Sequence, residues 1–307
     1  MKLYKNLLAP ILAALCWSLS YIMTNMAFLS FRPITIVFFR VIIASLFMLF
    51  IALLSRQMMK IKRAHLKWFL LLGLIEPFSY FLCETYGLTM VSSTLAAVIL
   101  STIPLFTPFF STIFLKEKVT IFNIAGLLIS IGGVALIILD GNSDFAYKKE
   151  GLFLLFGGVV IAIVYSLFVR RLSQEYSEIT IVTCQNIVGI FLFMPLFFFI
   201  DFEHLGELPI YTNAILAVVV LGVFASALAF IFYAYSLKHN GIVKTNIFLN
   251  LLPALTAVLA YFILGDAITL QMIIGISVVI MGLYISQLRK IKPDKKTENG
   301  KKYLSTN

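Results

Sequence analysis

The chain has 307 residues, 61% of them hydrophobic and 12% charged, with a net charge of +10. A soluble domain is about 45–50% apolar and about 25% charged, so an ordinary soluble fold is excluded. The Lys and Arg residues sit in short loops and a C-terminal tail, the distribution of membrane flanks rather than of a nucleic-acid-binding face.

A helix needs about 20 apolar residues to cross the hydrocarbon core. The first apolar run, 7–28, follows Lys2 and Lys5. It is too long for a cleaved signal core and lacks a small-residue cleavage site, so it reads as a first span. Nine further runs follow, at about 33–55, 66–88, 93–115, 120–139, 151–170, 179–200, 212–237, 241–264 and 268–288. Strands of a membrane barrel would alternate apolar and polar residues every second position, which these runs do not. The expectation is an all-α membrane protein of ten transmembrane helices, here called spans 1 to 10. The loop 201–211 is longer than most and has room for a short surface helix.

The chain repeats itself. Pro253 follows Pro104 by 149 residues, and at that offset Tyr86 falls on Tyr235, Leu100 on Leu249, Thr107 on Thr256, Gly126 on Gly275 and Gly133 on Gly282. The acid Glu117 meets the acid Asp266. Such agreement over some fifty residues marks an internal duplication. Each copy holds five spans, an odd number, so the second enters the membrane upside down. Inverted repeats of this kind characterise secondary transporters, because two equivalent halves of opposite orientation can exchange roles. The expected organisation is a first repeat at 1–139, a linker at 140–150, a second repeat at 151–288 and a basic tail at 289–307. Lys and Arg crowd one set of span ends (Arg56, Lys60, Lys62, Arg63, Lys116, Lys118, Arg170, Arg171), and acids crowd the other. This places both termini in the cytoplasm of a cell-membrane protein, with the Lys-rich tail near anionic lipid.

Several motifs carry a resemblance. Leu15-Cys16-Trp17-Ser18 opens span 1, Pro33 precedes Phe38-Phe39-Arg40 in span 2, and Pro104 precedes Leu115-Lys116-Glu117. Pro253, Gly265-Asp266, Gly275 and Gly282 repeat the last pattern. The chain resembles the EamA-type transporters of the drug/metabolite transporter superfamily, departing from them at Ser18, where Gly is usual, and at Asp266, where Glu is. The resemblance implies ten helices in two five-helix repeats and transport of amino acids, other metabolites or toxic compounds, often outward.

Few ionisable residues lie inside spans, and each costs about 2.5–3.5 kcal/mol at a helix centre on insertion scales. Arg40 lies about 10 Å, and Glu84 about 8 Å, below the same membrane face at 1.5 Å per residue, so the two can pair. Glu76, Tyr80 and Glu84 recur every four residues along one face of span 3, which should therefore face an interior cavity. Glu76 precedes Pro77, which removes a helix hydrogen bond. The second copy has Ala225 and Tyr233 in place of Glu76 and Glu84, so the charge belongs to the first half alone.

The substrate-binding candidates are Arg40, Glu76, Tyr80, Glu84, Asn246 and Asn250, with Glu76 also the candidate for coupling to a proton. Pro77, Pro104 and Pro253 are candidate hinges or packing kinks. Each candidate has a plainer reading. Arg40 and Glu84 can lock two helices, Glu76 can be a buried protonated acid, and the two Asn can bridge helices. Trp17 and Tyr21 can stack on a ligand, but aromatic residues make up 14% of the chain and pack readily.

The three Cys, at 16, 83 and 184, are far apart in apolar runs, and neither metal nor cofactor is expected. No phosphate-binding Gly-x-x-x-x-Gly-Lys loop is present, so ATP does not drive the process directly. The favoured function is a secondary transporter exporting or exchanging a small polar metabolite such as an amino acid, against a proton or counter-substrate. Spans 3, 4, 8 and 9 would wall its cavity. An exporter of cationic drugs is the alternative. A membrane enzyme acting on lipid head groups is the distant one, because the three His lie in three separate loops. Oligomeric state is left open.

Overall fold

The computed structural model describes residues 2–115, 121–138, 148–265, 269–286 and 288. Glu117, Asp266, most of the 140–150 linker and the 289–307 tail lie outside the described residues. Among the described residues the chain is helical, with turns and short irregular segments between the helices and no strand. This is what lipid requires, since an α-helix satisfies its backbone hydrogen bonds within one segment.

The ten spans are present. Seven are long and apolar enough by themselves to cross a membrane: Leu7–Ala27, Pro33–Ser55, Arg63–Leu88, Ser93–Phe110, Lys149–Leu172, Glu178–His204 and Thr212–Asn240. The other three are span 5 (Ile121–Ile138), span 9 (from Ile242 to Leu264 in three pieces) and span 10 (Leu270–Ser286). Several starts are fixed by caps. Ser92 and Ser177 accept from the backbone N–H groups of Leu95 and Thr180, each at 3.2 Å. Span 2 starts on Pro33, suited to a first helical position. In its first turn the N–H of Thr35 donates at 2.8 Å to Asp201 of the other half. The expected surface helix in the loop 201–211 is a single tight turn, Phe202–His204.

Helix breaks recur at equivalent places in the two halves. Span 3 widens to π-type turns over Leu74–Ser79, with Glu76 at φ −142° and ψ 119°. Span 8 widens over Leu221–Leu228, the counterpart stretch, without a proline. Span 4 breaks between Leu100 and Ile103, just before Pro104. Span 9 tightens over Phe248–Leu251, just before Pro253.

Spans 5 and 10 are repeat counterparts and pack antiparallel, so each residue meets the partner of its own neighbours. A Cβ at Gly133 would lie 2.8 Å from the carbonyl oxygen of Gly275, and one at Gly282 would lie 2.7 Å from that of Gly126. Only glycine allows this approach, the membrane solution of small residues at a helix crossing. The halves are therefore inverted copies about an axis passing between these two helices.

The symmetry also holds where spans 3 and 8 meet spans 7 and 2, across a four-residue difference in length, since span 2 starts at Pro33 and span 7 at Glu178, 145 residues on. Gly73 of span 3 packs on the Gln185 carbonyl and Val188 of span 7, and its counterpart Gly222 of span 8 packs on the Arg40 carbonyl and Ile43 of span 2. At that offset Gln185 corresponds to Arg40 and Val188 to Ile43, so the two contacts are equivalent.

Candidate functional site

Arg40, Glu76, Tyr80 and Glu84 are brought together on the wall of one interior cavity. The broken turn at Glu76 and Pro77 rotates the Glu76 side chain inward, and the regular helix from Tyr80 sets Tyr80 and Glu84 beside it. The cavity volume is about 40 Å³. One water needs about 10–15 Å³ on this measure, so the space holds a few waters and is smaller than an amino acid. This conformation is closed around its centre.

Arg40 is 1% exposed and fully engaged. Its Nη1 lies 3.3 Å from Glu84 Oε2, and its Nε donates to Ser226 Oγ of span 8. Its guanidinium carbon sits 3.8 Å from the centre of the Phe81 ring, a cation–π contact strengthened by desolvation. Glu84 also accepts from Tyr80 Oη at 3.3 Å. The pair expected from equal depth is thus present, and its charges cancel. Glu76 differs. It is 2% exposed, and its Oε1 has no hydrogen-bond partner. A buried carboxyl group left so is costly unless something else satisfies it.

Facing the acids is an aromatic wall. Tyr165 of span 6 and Tyr233 of span 8 lie nearly parallel, 6.4 Å apart, and Trp17 packs edge-on to Phe230 at 5.3 Å and to Tyr233 at 5.1 Å. Their polar tips are tied behind the wall: Tyr165 Oη donates to Gln185 at 2.9 Å, and Tyr233 Oη donates to Asn246 at 2.7 Å. Buried tyrosines take such partners, which also fix the ring planes.

The wall departs from expectation in three ways. Spans 1, 2 and 6 contribute as well as spans 3, 4, 8 and 9, through Trp17, Tyr21, Arg40, Ala162 and Tyr165. Trp17 and Tyr21 face the cavity rather than serving as packing alone. Asn246 and Asn250 do not line it. The tightened turn at Phe248–Leu251 presents Leu249 and Leu252 instead. Asn246 braces Tyr233 and donates to Thr107 at 3.1 Å, and Asn250 Oδ1 is buried without a partner. Tyr165, Phe230 and Tyr233 were not among the sequence candidates.

Comparison with known proteins agrees with this architecture. A profile of the EamA-like transporter family matches residues 4–139 and 149–288. An uncharacterized transporter of Archaeoglobus fulgidus is 26% identical over 270 residues, covering 88% of this chain and 94% of that protein. The transporter YdfC of Bacillus subtilis is 27% identical, covering 86% and 85%. Protein PagO of Salmonella typhimurium is 25% identical, covering 92% of each. A crystal structure superimposes with a TM-score of 0.71 at 18% identity over 92% of this chain, a likeness of fold. With both halves matched and both halves built as inverted five-helix bundles, the chain belongs to the EamA-like transporter family, a family of multi-pass membrane transporters and not of enzymes.

Proposed function

We propose that this transporter moves a small metabolite bearing an amino group, by alternating access between its two halves. The observation that carries the reading is Glu76: a buried carboxyl group with no partner, on the wall of an aromatic-lined cavity. A substrate ammonium would supply the missing hydrogen bonds, and the rings would hold the substrate's body. The inverted duplication supports alternating access, since two equivalent halves of opposite orientation can exchange roles.

An exported amino acid fits if Arg40 releases Glu84 and takes the substrate carboxylate. An organic cation is the second reading, favoured by the guanidinium of Arg40 being already held by Glu84, Ser226 and Phe81. In both, Glu76 is the candidate to exchange the substrate for a proton. The repeat boundaries at 139 and 151, the basic tail from 289 and cytoplasmic termini in a cell membrane complete the proposal.

The test is a thermal-shift titration of the purified protein with amino acids and organic cations. A ligand that binds only the folded state raises the melting temperature with concentration. Loss of an amino-acid shift in both Glu76→Gln and Arg40→Ala supports the amino-acid form. Loss of a cation shift in Glu76→Gln alone supports the second. A shift that survives Glu76→Gln rejects both.

A further inference from the structure

Each end of the molecule carries a latch between the two halves, and the two latches join corresponding segments. At the Lys- and Arg-rich end, the segment before span 3 meets the turn before span 7. Lys62 N–H donates to Tyr176 Oη at 3.2 Å, and Met59 N–H donates to Thr180 Oγ1 at 2.9 Å. At the opposite end, the segment before span 8 meets the turn before span 2. Tyr211 N–H donates to Ser30 Oγ at 2.9 Å, and Asp201 takes the Thr35 N–H and hydroxyl. Lys62 and Tyr211 are repeat counterparts, so the same backbone N–H closes each latch onto a hydroxyl of the other half.

Each latch is completed by one carboxylate between a cation and a histidine, although the repeat does not align these residues. Glu175 lies 3.0 Å from Lys62 Nζ and 3.6 Å from His65 Nδ1. Glu207 lies 3.1 Å from Arg32 Nη2 and 2.7 Å from His204 Nδ1. The hydrogen bond from Lys62 holds Glu175 below the ordinary carboxylate range, and that from His204 does the same for Glu207. In both latches a bridge crosses from one half to the other, and both are closed while the cavity between them holds only about 40 Å³.

We propose that these latches are the two gates of the transport cycle. Glu175 holds the gate at the Lys- and Arg-rich end shut, and Glu207 holds the opposite one. Exposed ion pairs are weak, which suits contacts that must break and re-form in every cycle. The proposal rests on the alternating-access reading above.

The test uses a background with Cys16, Cys83 and Cys184 replaced by Ala and a single reporter, Ala162→Cys, on the cavity wall. Labelling by a membrane-impermeant maleimide is timed in sealed vesicles of each orientation. Glu207→Gln should raise the rate from its own side by roughly two- to fivefold, the scale of one exposed pair, without raising it from the other. Glu175→Gln should do the reverse. Arg32→Gln and Lys62→Gln break the same bridges from the other partner, so a misfolded Glu variant leaves each arm readable. If the parent labels from both sides and the variants match it, the gate assignment is overturned while alternating access stands. If the parent labels from neither side and no variant changes that, both fall.

Discussion

Ser130 donates a hydrogen bond at 3.0 Å to the carbonyl of Val279, and Val279 is its own counterpart in the second half, 149 residues on. A residue touches its repeat partner only where the symmetry axis passes. The bond therefore locates the axis between spans 5 and 10 and identifies that crossing as the joint between the inverted halves.

The joint predicts a sharp contrast between two adjacent glycines. A Cβ at Gly133 meets backbone atoms, 2.8 Å from both Gly275 O and Val279 N, which cannot swing aside; a Cβ at Gly132 meets nothing within 4 Å. Gly133→Ala should destabilise the protein by about 1–3 kcal/mol, as overpacking does. Gly132→Ala should stay within about 0.5 kcal/mol or gain slightly from helix propensity. Thermal unfolding in detergent checks both, and equal effects would contradict the packing described.

A second prediction concerns the Arg40–Glu84 pair, whose side chains are 1% and 5% exposed. Breaking a buried pair from one side leaves an uncompensated charge and costs about 3–5 kcal/mol. Arg40→Met and Glu84→Gln should each lower stability on that scale. The double variant should lose clearly less than the sum, because neither charge is then orphaned. Additive losses in a double-mutant cycle would show that the two residues act independently.

Glu76 should behave in the opposite sense. It has no partner to lose, so Glu76→Gln removes a desolvated acid without orphaning another group. The melting temperature of the unliganded protein should hold or rise, while any ligand-induced rise disappears. A large fall in the unliganded protein would mean that Glu76 supports the fold, and would remove it from the site.

Much of this architecture was legible in the sequence, and the illegible part has physical reasons. The inverted repeat could be read because Pro104, Gly126, Gly133 and their counterparts serve backbone geometry, which both halves need alike. The stripe of Glu76, Tyr80 and Glu84 could be read because charge inside a span demands an interior position. The aromatic wall could not, since apolar rings look the same whether they face a cavity, a neighbour or lipid. One signal did exist. Tyr233 is the counterpart of Glu84, and a position facing the centre in one half faces it in the other. Asn246 and Asn250 misled because four-residue spacing implies a shared face only on an unbroken helix, and span 9 changes pitch between Asn246 and Leu252.

The brace behind Tyr233 separates ring from hydroxyl. Tyr233 Oη donates to Asn246 Oδ1, whose amide donates onward to Thr107, all three being buried. Tyr233→Phe orphans the Asn246 oxygen, and Asn246→Leu orphans the Tyr233 hydroxyl; each should cost about 1–3 kcal/mol. Together they should cost less than the sum, since both partners are then gone. If the ring face contacts the substrate, Tyr233→Phe should keep the ligand-induced thermal shift at a higher ligand concentration, through a less firmly held ring. Tyr233→Ala should lose it. Equal loss in both would instead assign the contact to the hydroxyl, and the wall would then recognise its substrate by hydrogen bonding rather than by its aromatic face.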